Sequence, residues 1–326
     1  MAPIRRILVG YDGFDRGEGV SAAAIELARK HGAEVHVLNV APAEPRRPWR
    51  TSKVSSAELH ASLVESRLHR IERMLQEMEE PEVSMQAHVR SGVPHIEIIR
   101  QASSIDADLI VVTDEPQRRD GRRGFGTVTA KLLRKSPVPV LAHRNHREWN
   151  PGRIVAALDV EPTSEDDGEL NLKILDMAAM LARASAAKLV VFHAWSLWGE
   201  DLLRGRMDEE ELGNLLKTTE DLRMREVDRL MANTDLSGLE VHVDVRKGEP
   251  RLLLPEMSAV GLMDILVMGT LCRTGLPGFI IGNTAERVLN KLTCAVVAVK
   301  RPDFVTPVDL SNAGAQSASP KASSSS

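Results

Sequence analysis

Two aspartates that close apolar runs are the first residues with chemistry to offer. Ile7-Leu8-Val9-Gly10-Tyr11 leads into Asp12, and Ile154-Val155-Ala156-Ala157-Leu158 leads into Asp159. A carboxylate just beyond a buried strand can accept hydrogen bonds from a ligand in the crevice where strand order reverses. It can equally close a turn, as Asp12-Gly13 would. Two later segments must share that end of the sheet, 113–127 in the first half and 269–284 in the second. The second of these carries Gly269, Gly275, Gly278 and Gly282 and runs into Asn283-Thr284-Ala285-Glu286. Its glycines permit turns and close backbone approach, and N–H groups at the helix start that follows could hold a phosphate. Asn283 with Glu286 three residues on also has the form of a capping box, which the helix needs with or without an anion.

Other reactive side chains are less well supported. Cys272 lies beside Arg273 but has no His or Asp neighbour to act as base, and Cys294 opens an apolar run where a buried, inert thiol is expected. Arg118, Arg119, Arg122 and Arg123 could bind an anion, or simply form a solvated loop. His143 and His146 have a metal-pair spacing without a third ligand nearby. No phosphate-binding Gly-x4-Gly-Lys-(Ser/Thr) and no nucleophile elbow is present. No catalytic residue and no metal site is expected.

Composition narrows the partners. The 326 residues carry 42 Lys and Arg against 46 Asp and Glu, so the near-neutral balance of −4 argues against a phosphate-backbone binder. Aromatics are only 3% of the chain, with Tyr11 the single tyrosine, which argues against base-stacking modules. Two cysteines give no disulfide framework, and no run approaches the ~20 apolar residues of a membrane helix. A cytoplasmic protein with no nucleic-acid or membrane partner is expected.

The elements that position these residues come twice. Asp108-Leu109-Ile110-Val111-Val112 matches Asp264-Ile265-Leu266-Val267-Met268, and Gly92-Val93-Pro94 matches Gly248-Glu249-Pro250, each 156 residues apart. The opening strands are 147 apart, which places a net nine-residue insertion early in the second half. A constant offset over so many positions marks an internal duplication. Each half alternates aliphatic runs with helical patterns: strands at Glu34–Val40 and Lys188–Ala194, helices at Val20–Lys30 and Leu170–Ala186. Unalternating aliphatic strands predict a parallel sheet covered on both faces. Long cover helices follow, with stripes of Leu59, Leu63, Leu68, Ile71, Leu75 and Met78, and of Leu212, Leu215, Leu216, Leu222, Val227 and Leu230.

The strand ending in Asp, the Gly-x-Pro after the third strand and the Gly-rich segment before the last helix resemble the universal stress protein family, over residues 4–143 and 153–301. Arg273-Thr274-Gly275 through Glu286, with Arg301-Pro302-Asp303 and Thr306-Pro307-Val308, is similar to its tandem two-domain members. The resemblance implies an α/β fold: two Rossmann-like (flavodoxin-like) doubly wound, five-stranded parallel-sheet domains. Their expected bounds are 1–145 and 153–303, with a linker at 146–152 and a disordered tail over 304–326. It also implies pairing of last strands, Val138–Ala142 with Ala295–Val299, as an intramolecular pseudo-dimer, with further dimerisation left open.

Nucleotide-binding members of the family imply the site. Asp12 and Asp159 stand where an aspartate meets the nucleoside, and Val40 and Ala194 where a backbone group faces the adenine. Gly269 and Gly282 fit the family's phosphate-loop glycines, while Cys272 replaces the middle glycine and Asn283 the Ser/Thr. In the first half Gly126-Thr127 fits the end of that motif, but Thr113 and Pro116 replace its first glycines, and proline has no N–H to donate. ATP is therefore the candidate cofactor of domain 2, and no other cofactor is implied. The resemblance implies a cytoplasmic stress-response role, acting by binding and not by turnover through a protein partner or a small ligand, with an ATP-binding switch, hydrolysing slowly if at all, as the alternative.

Overall fold

A computed structural model describes residues 4–11, 18–43, 55–78, 80–114, 125–144, 149–160, 167–270 and 283–311. The described chain falls into two compact units, one holding the elements of the first half and one those of the second.

The N-terminal unit runs β1 (Arg6–Tyr11), α1 (Glu18–His31), β2 (Glu34–Ala41), α2 (Ser56–Glu77), β3 (Met85–Ser91), α3 (Pro94–Ser104), β4 (Leu109–Asp114), α4 (Thr127–Lys135) and β5 (Val140–Arg144). The C-terminal unit runs β6 (Arg153–Leu158), α5 (Asp167–Ser185), β7 (Lys188–Trp195), α6 (Glu200–Arg204), α7 (Glu209–Ala232), β8 (Val241–Lys247), α8 (Pro250–Ala259), β9 (Ile265–Gly269), α9 (Asn283–Leu289) and β10 (Ala295–Val299). The strand orders are β3-β2-β1-β4-β5 and β8-β7-β6-β9-β10, with every pair within each unit parallel. Of the two labels the sequence suggests, this order selects the Rossmann half-sheet. Its reversal points lie between β1 and β4 and between β6 and β9.

The aliphatic runs fill the sheets: Ile7, Leu8, Leu109, Ile110 and Val111 in one unit, and Ile154, Val155, Leu266 and Val267 in the other, are sealed from solvent. The duplication extends to small devices. The Asp108 carboxylate accepts from the Arg5 and Arg6 N–H groups at 2.7 and 3.0 Å, and the Asp264 carboxylate accepts from Gly152 and Arg153, both at 3.0 Å. Gly92 and Gly248 hold φ +151° and +144°, and a β-carbon there would meet Glu97 and Leu253 at 3.0 and 2.9 Å. Each then hands the chain to a proline in the first turn of α3 or α8, where the missing N–H is no loss.

The insertion is distributed unevenly. The offset is already 154 between β2 and β7, so seven of the nine extra residues fall before β7, where α5 spans 19 residues against 14 for α1. The cover stripes are buried only in part. Ile71, Leu212, Val227 and Leu230 are buried, whereas Leu59, Leu63 and Leu222 are exposed. A 22-residue α2 is about 33 Å long against about 26 Å for an 8-residue strand, so the sheet cannot cover its whole length. Capping boxes hold the starts of both long helices, Ser55 with Glu58 and Asp208 with Glu211. Residues 305–311, assigned to the tail by sequence, pack with the N-terminal unit. There Thr306 Oγ1 donates to Lys135 O at 2.7 Å and Arg100 Nε donates to Asp309 O at 2.8 Å.

Candidate functional site

Parallel strands bring their carboxyl ends together, so each unit gathers one residue set from several strands. In the C-terminal unit these ends present Asp159 after β6, Ala194 on β7, and Gly269 and Thr270 at and after β9. Asp159 is exposed, but its backbone is not free to drift. Its N–H donates to Asn171 Oδ1 at 3.0 Å and its carbonyl accepts from Asn171 Nδ2 at 2.8 Å. Asn171 is a buried residue of α5, so a side-chain amide anchors the aspartate to the helix that covers it. Nothing in local spacing marks that partnership.

Gly269 has a packing reason of its own. A β-carbon there would come within 2.8 Å of Leu170 Cδ2, so a side chain at this position would oblige Leu170 to shift. Beyond it, buried Thr270 accepts a hydrogen bond from Lys300 Nζ, and Lys300 lies 5.3 Å from the Phe304 ring centre. Burial pushes the Lys300 ammonium down to about 7. Neither residue stands out in the sequence, since Lys300 directly follows β10 and is separated from its partner by thirty positions.

The N-terminal unit arranges the equivalent end differently. Arg67 of α2 donates through Nη1 to Asn39 Oδ1 at 2.6 Å and to the Val40 carbonyl at 3.1 Å. The carbonyl of Val40, the residue whose backbone the family resemblance sets facing a nucleobase, is thereby already engaged. No side chain among the described residues donates to the Ala194 carbonyl in the other unit. Asn39 is replaced there by His193, whose Nδ1 lies 3.1 Å from the Leu158 carbonyl. Gly126 caps α4 through its backbone only, and Thr127, exposed, is the first helical residue.

The N-terminal unit also carries an imidazole pair, His36 buried and His88 half-buried. His36 Nδ1 and His88 Nε2 are 2.9 Å apart on β2 and β3, with stacked rings. Burial, then the neighbouring His36 and Arg90, holds His88 down at about 4. Burial also lowers His36, against an opposing pull from Glu34. The corresponding positions of the other unit are Val190 and Asp244, and Asp244 is paired with Arg246 at 2.5 Å.

Asp12, Pro116, the arginines at 118–123, His146, Cys272 and Gly282 lie outside the described residues, as does the side chain of Asn283. Cys294 is buried, as its sequence context suggests. Among the described residues there is no group of three or more His, Cys, Asp and Glu that could hold a metal ion, and no helix long and apolar enough to cross a membrane.

Comparison with known proteins agrees with this architecture. The chain is 26% identical over 251 residues to the universal stress protein E homolog of Haemophilus influenzae, covering 76% of this chain and 80% of that one. A functionally unknown protein from Pseudomonas aeruginosa PAO1 superposes with a TM-score of 0.68 at 26% identity, covering 92% of this chain and 94% of that chain. A universal stress protein from Archaeoglobus fulgidus shares the fold at a TM-score of 0.57 and 18% identity, covering 91% and 98%. The sequence model of the universal stress protein family matches twice, over residues 3–144 and 152–300, and the chain belongs to that family as a tandem of two domains.

Proposed function

We propose that this chain is a cytoplasmic stress-response protein that acts by binding a ligand at the carboxyl end of the C-terminal sheet, and not by turnover. One contrast carries the reading. Arg67 closes the Val40 carbonyl in the first unit, while the second leaves Ala194 uncapped beside an Asp159 whose backbone Asn171 locks. An exposed aspartate at a strand-order reversal, with its backbone held in place, is positioned for a polar ligand. Neither a nucleic acid nor a membrane is a partner in this reading.

ATP is the ligand we favour for that end, as a regulatory switch. Asp159 and Ala194 would meet its nucleoside, and Gly269, Gly282 and Asn283 would lie along its phosphates. The close seating of Leu170 on Gly269 explains that glycine without a phosphate, so the nucleoside end carries more of the argument. The experiment is extraction of nucleotide from freshly purified full-length protein, followed by calorimetry. Stoichiometric nucleotide, lost in Asp159→Ala and kept in Arg67→Gln, is the expected result. No retained nucleotide and no millimolar-range affinity would overturn the ATP reading.

A further inference from the structure

The geometry points to an oxyanion site where α7 faces the end of β7, held by the guanidinium of Arg223 and the indole N–H of Trp195. The inference does not rest on the nucleotide reading. Arg223 stands 156 residues after Arg67, and the same offset takes buried Ile71 to buried Val227 one helical turn on, so the two arginines occupy equivalent places on α2 and α7. Arg67 turns toward the strand end and is satisfied there by Asn39 Oδ1 and the Val40 carbonyl. Arg223, at the equivalent place on α7, has a buried Nε with no such acceptor. His193 stands in place of Asn39 and approaches the Leu158 carbonyl. Glu226, three residues along α7, pairs with Arg229 at 3.0 Å.

The result is a buried donor pair without an acceptor. Arg223 Nε is buried and has no hydrogen-bond partner, and the same holds for Trp195 Nε1. Trp195 is only 2% exposed and replaces Ala41 of the first unit. Alternation along β7 puts Trp195 on the face of His193, which corresponds to the Asn39 face that Arg67 reaches. Two buried N–H donors, one on α7 and one at the end of the strand that helix covers, each lack the oxygen acceptor that buried donors ordinarily have. A guanidinium fork beside an indole N–H suits a group with at least two anionic oxygens, a phosphate or a carboxylate. Arg223 is half-buried, so such a group can enter along its side chain.

The test is a titration of the full chain with inorganic phosphate and, separately, with acetate and citrate, read by thermal shift and tryptophan fluorescence. Saturable stabilisation by one of the two classes is expected, and the class that saturates identifies the source of the oxyanion. Arg223→Gln should weaken it at least tenfold, Trp195→Phe severalfold, and Arg67→Gln not at all. Arg223→Gln should unfold no earlier than wild type in anion-free buffer. If it fails to fold, Arg223→Lys, which keeps the charge and loses the fork, should bind with intermediate affinity. Equal stabilisation of wild type and the Arg223 variants, or no response of wild type to either class, overturns the site. Nucleotide retained in Arg223→Gln while anion stabilisation is lost would separate this site from the nucleotide reading; loss of nucleotide only in Asp159→Ala would fail neither.

Discussion

The ends of β2 and β7 were built from one ancestral strand and now solve the same problem in opposite ways. In the first unit Arg67, Asn39 and the Val40 carbonyl satisfy one another. In the second, His193 and Trp195 replace Asn39 and Ala41, and the buried Nε of Arg223 has no acceptor. A closed hydrogen-bond network contributes stability and leaves no donor for a ligand; an open one reverses both. Duplication allows this division because one copy can keep the fold secure while the other gives up internal contacts.

The largest test of the open end concerns Lys300. Its folded value of about 7 lies below the ordinary 10.5 of an exposed lysine, so the unfolded chain binds more protons between those values. Stability should therefore rise with pH from about 7 to 10.5. Lys300→Met should flatten that rise and stabilise the protein at pH 7 on the order of 3 kcal/mol, measured by urea denaturation across that range. No change in slope would show that Thr270 and Phe304 fully compensate the burial.

Arg67→Met should cost about 2 kcal/mol, because it leaves Asn39 without its charged donor, whereas Arg223→Met should be neutral or slightly stabilising without added anion. Equal losses in the two variants would erase the contrast between the strand ends. Gly269→Ala should cost about 1–2 kcal/mol through contact with Leu170, and Leu170→Val in the same chain should restore most of it. The equivalent residue of the first unit is Thr113, which shows that the position tolerates a side chain where the covering helix is shaped for it.

The smallest effect is acid sensitivity confined to one unit. His88 sits at about 4 when folded and near 6.5 unfolded, so the unfolded chain binds the extra proton between them and stability falls as pH drops through that window. A loss of about 1 kcal/mol is expected after allowing for its partial exposure. The signal should be visible as faster amide exchange in β2 and β3 but not in β7 and β8, where Val190 and the Asp244–Arg246 pair stand instead. The double variant His36→Val, His88→Asp should abolish that difference.

Much of the fold was legible because it rests on periodic or repeated features. Aliphatic runs without alternation predict parallel strands buried on both faces, and the 156-residue offset carries Gly92-Val93-Pro94 onto Gly248-Glu249-Pro250 with matching backbone angles. Of the candidate site, Asp159 follows from the end of its apolar run and Ala194 from the family resemblance, whereas Asn171, Thr270, Lys300 and the two arginines follow from neither. Each acts through a partner on another element: Asn171 through the backbone of Asp159, Lys300 through Thr270, Arg67 through Asn39.

By itself, then, the sequence determined the duplicated parallel-sheet architecture and the residues that must terminate its strands, since hydrophobic period and turn chemistry are local properties of a chain. Which of those ends is already satisfied was decided by tertiary structure. Arg67 and Arg223 are the same residue at the same spacing, and only the side chain that β2 or β7 presents to each helix makes one of them closed and the other open. Hydrogen-bond satisfaction depends on what stands within about 3 Å in space, and no local pattern encodes that.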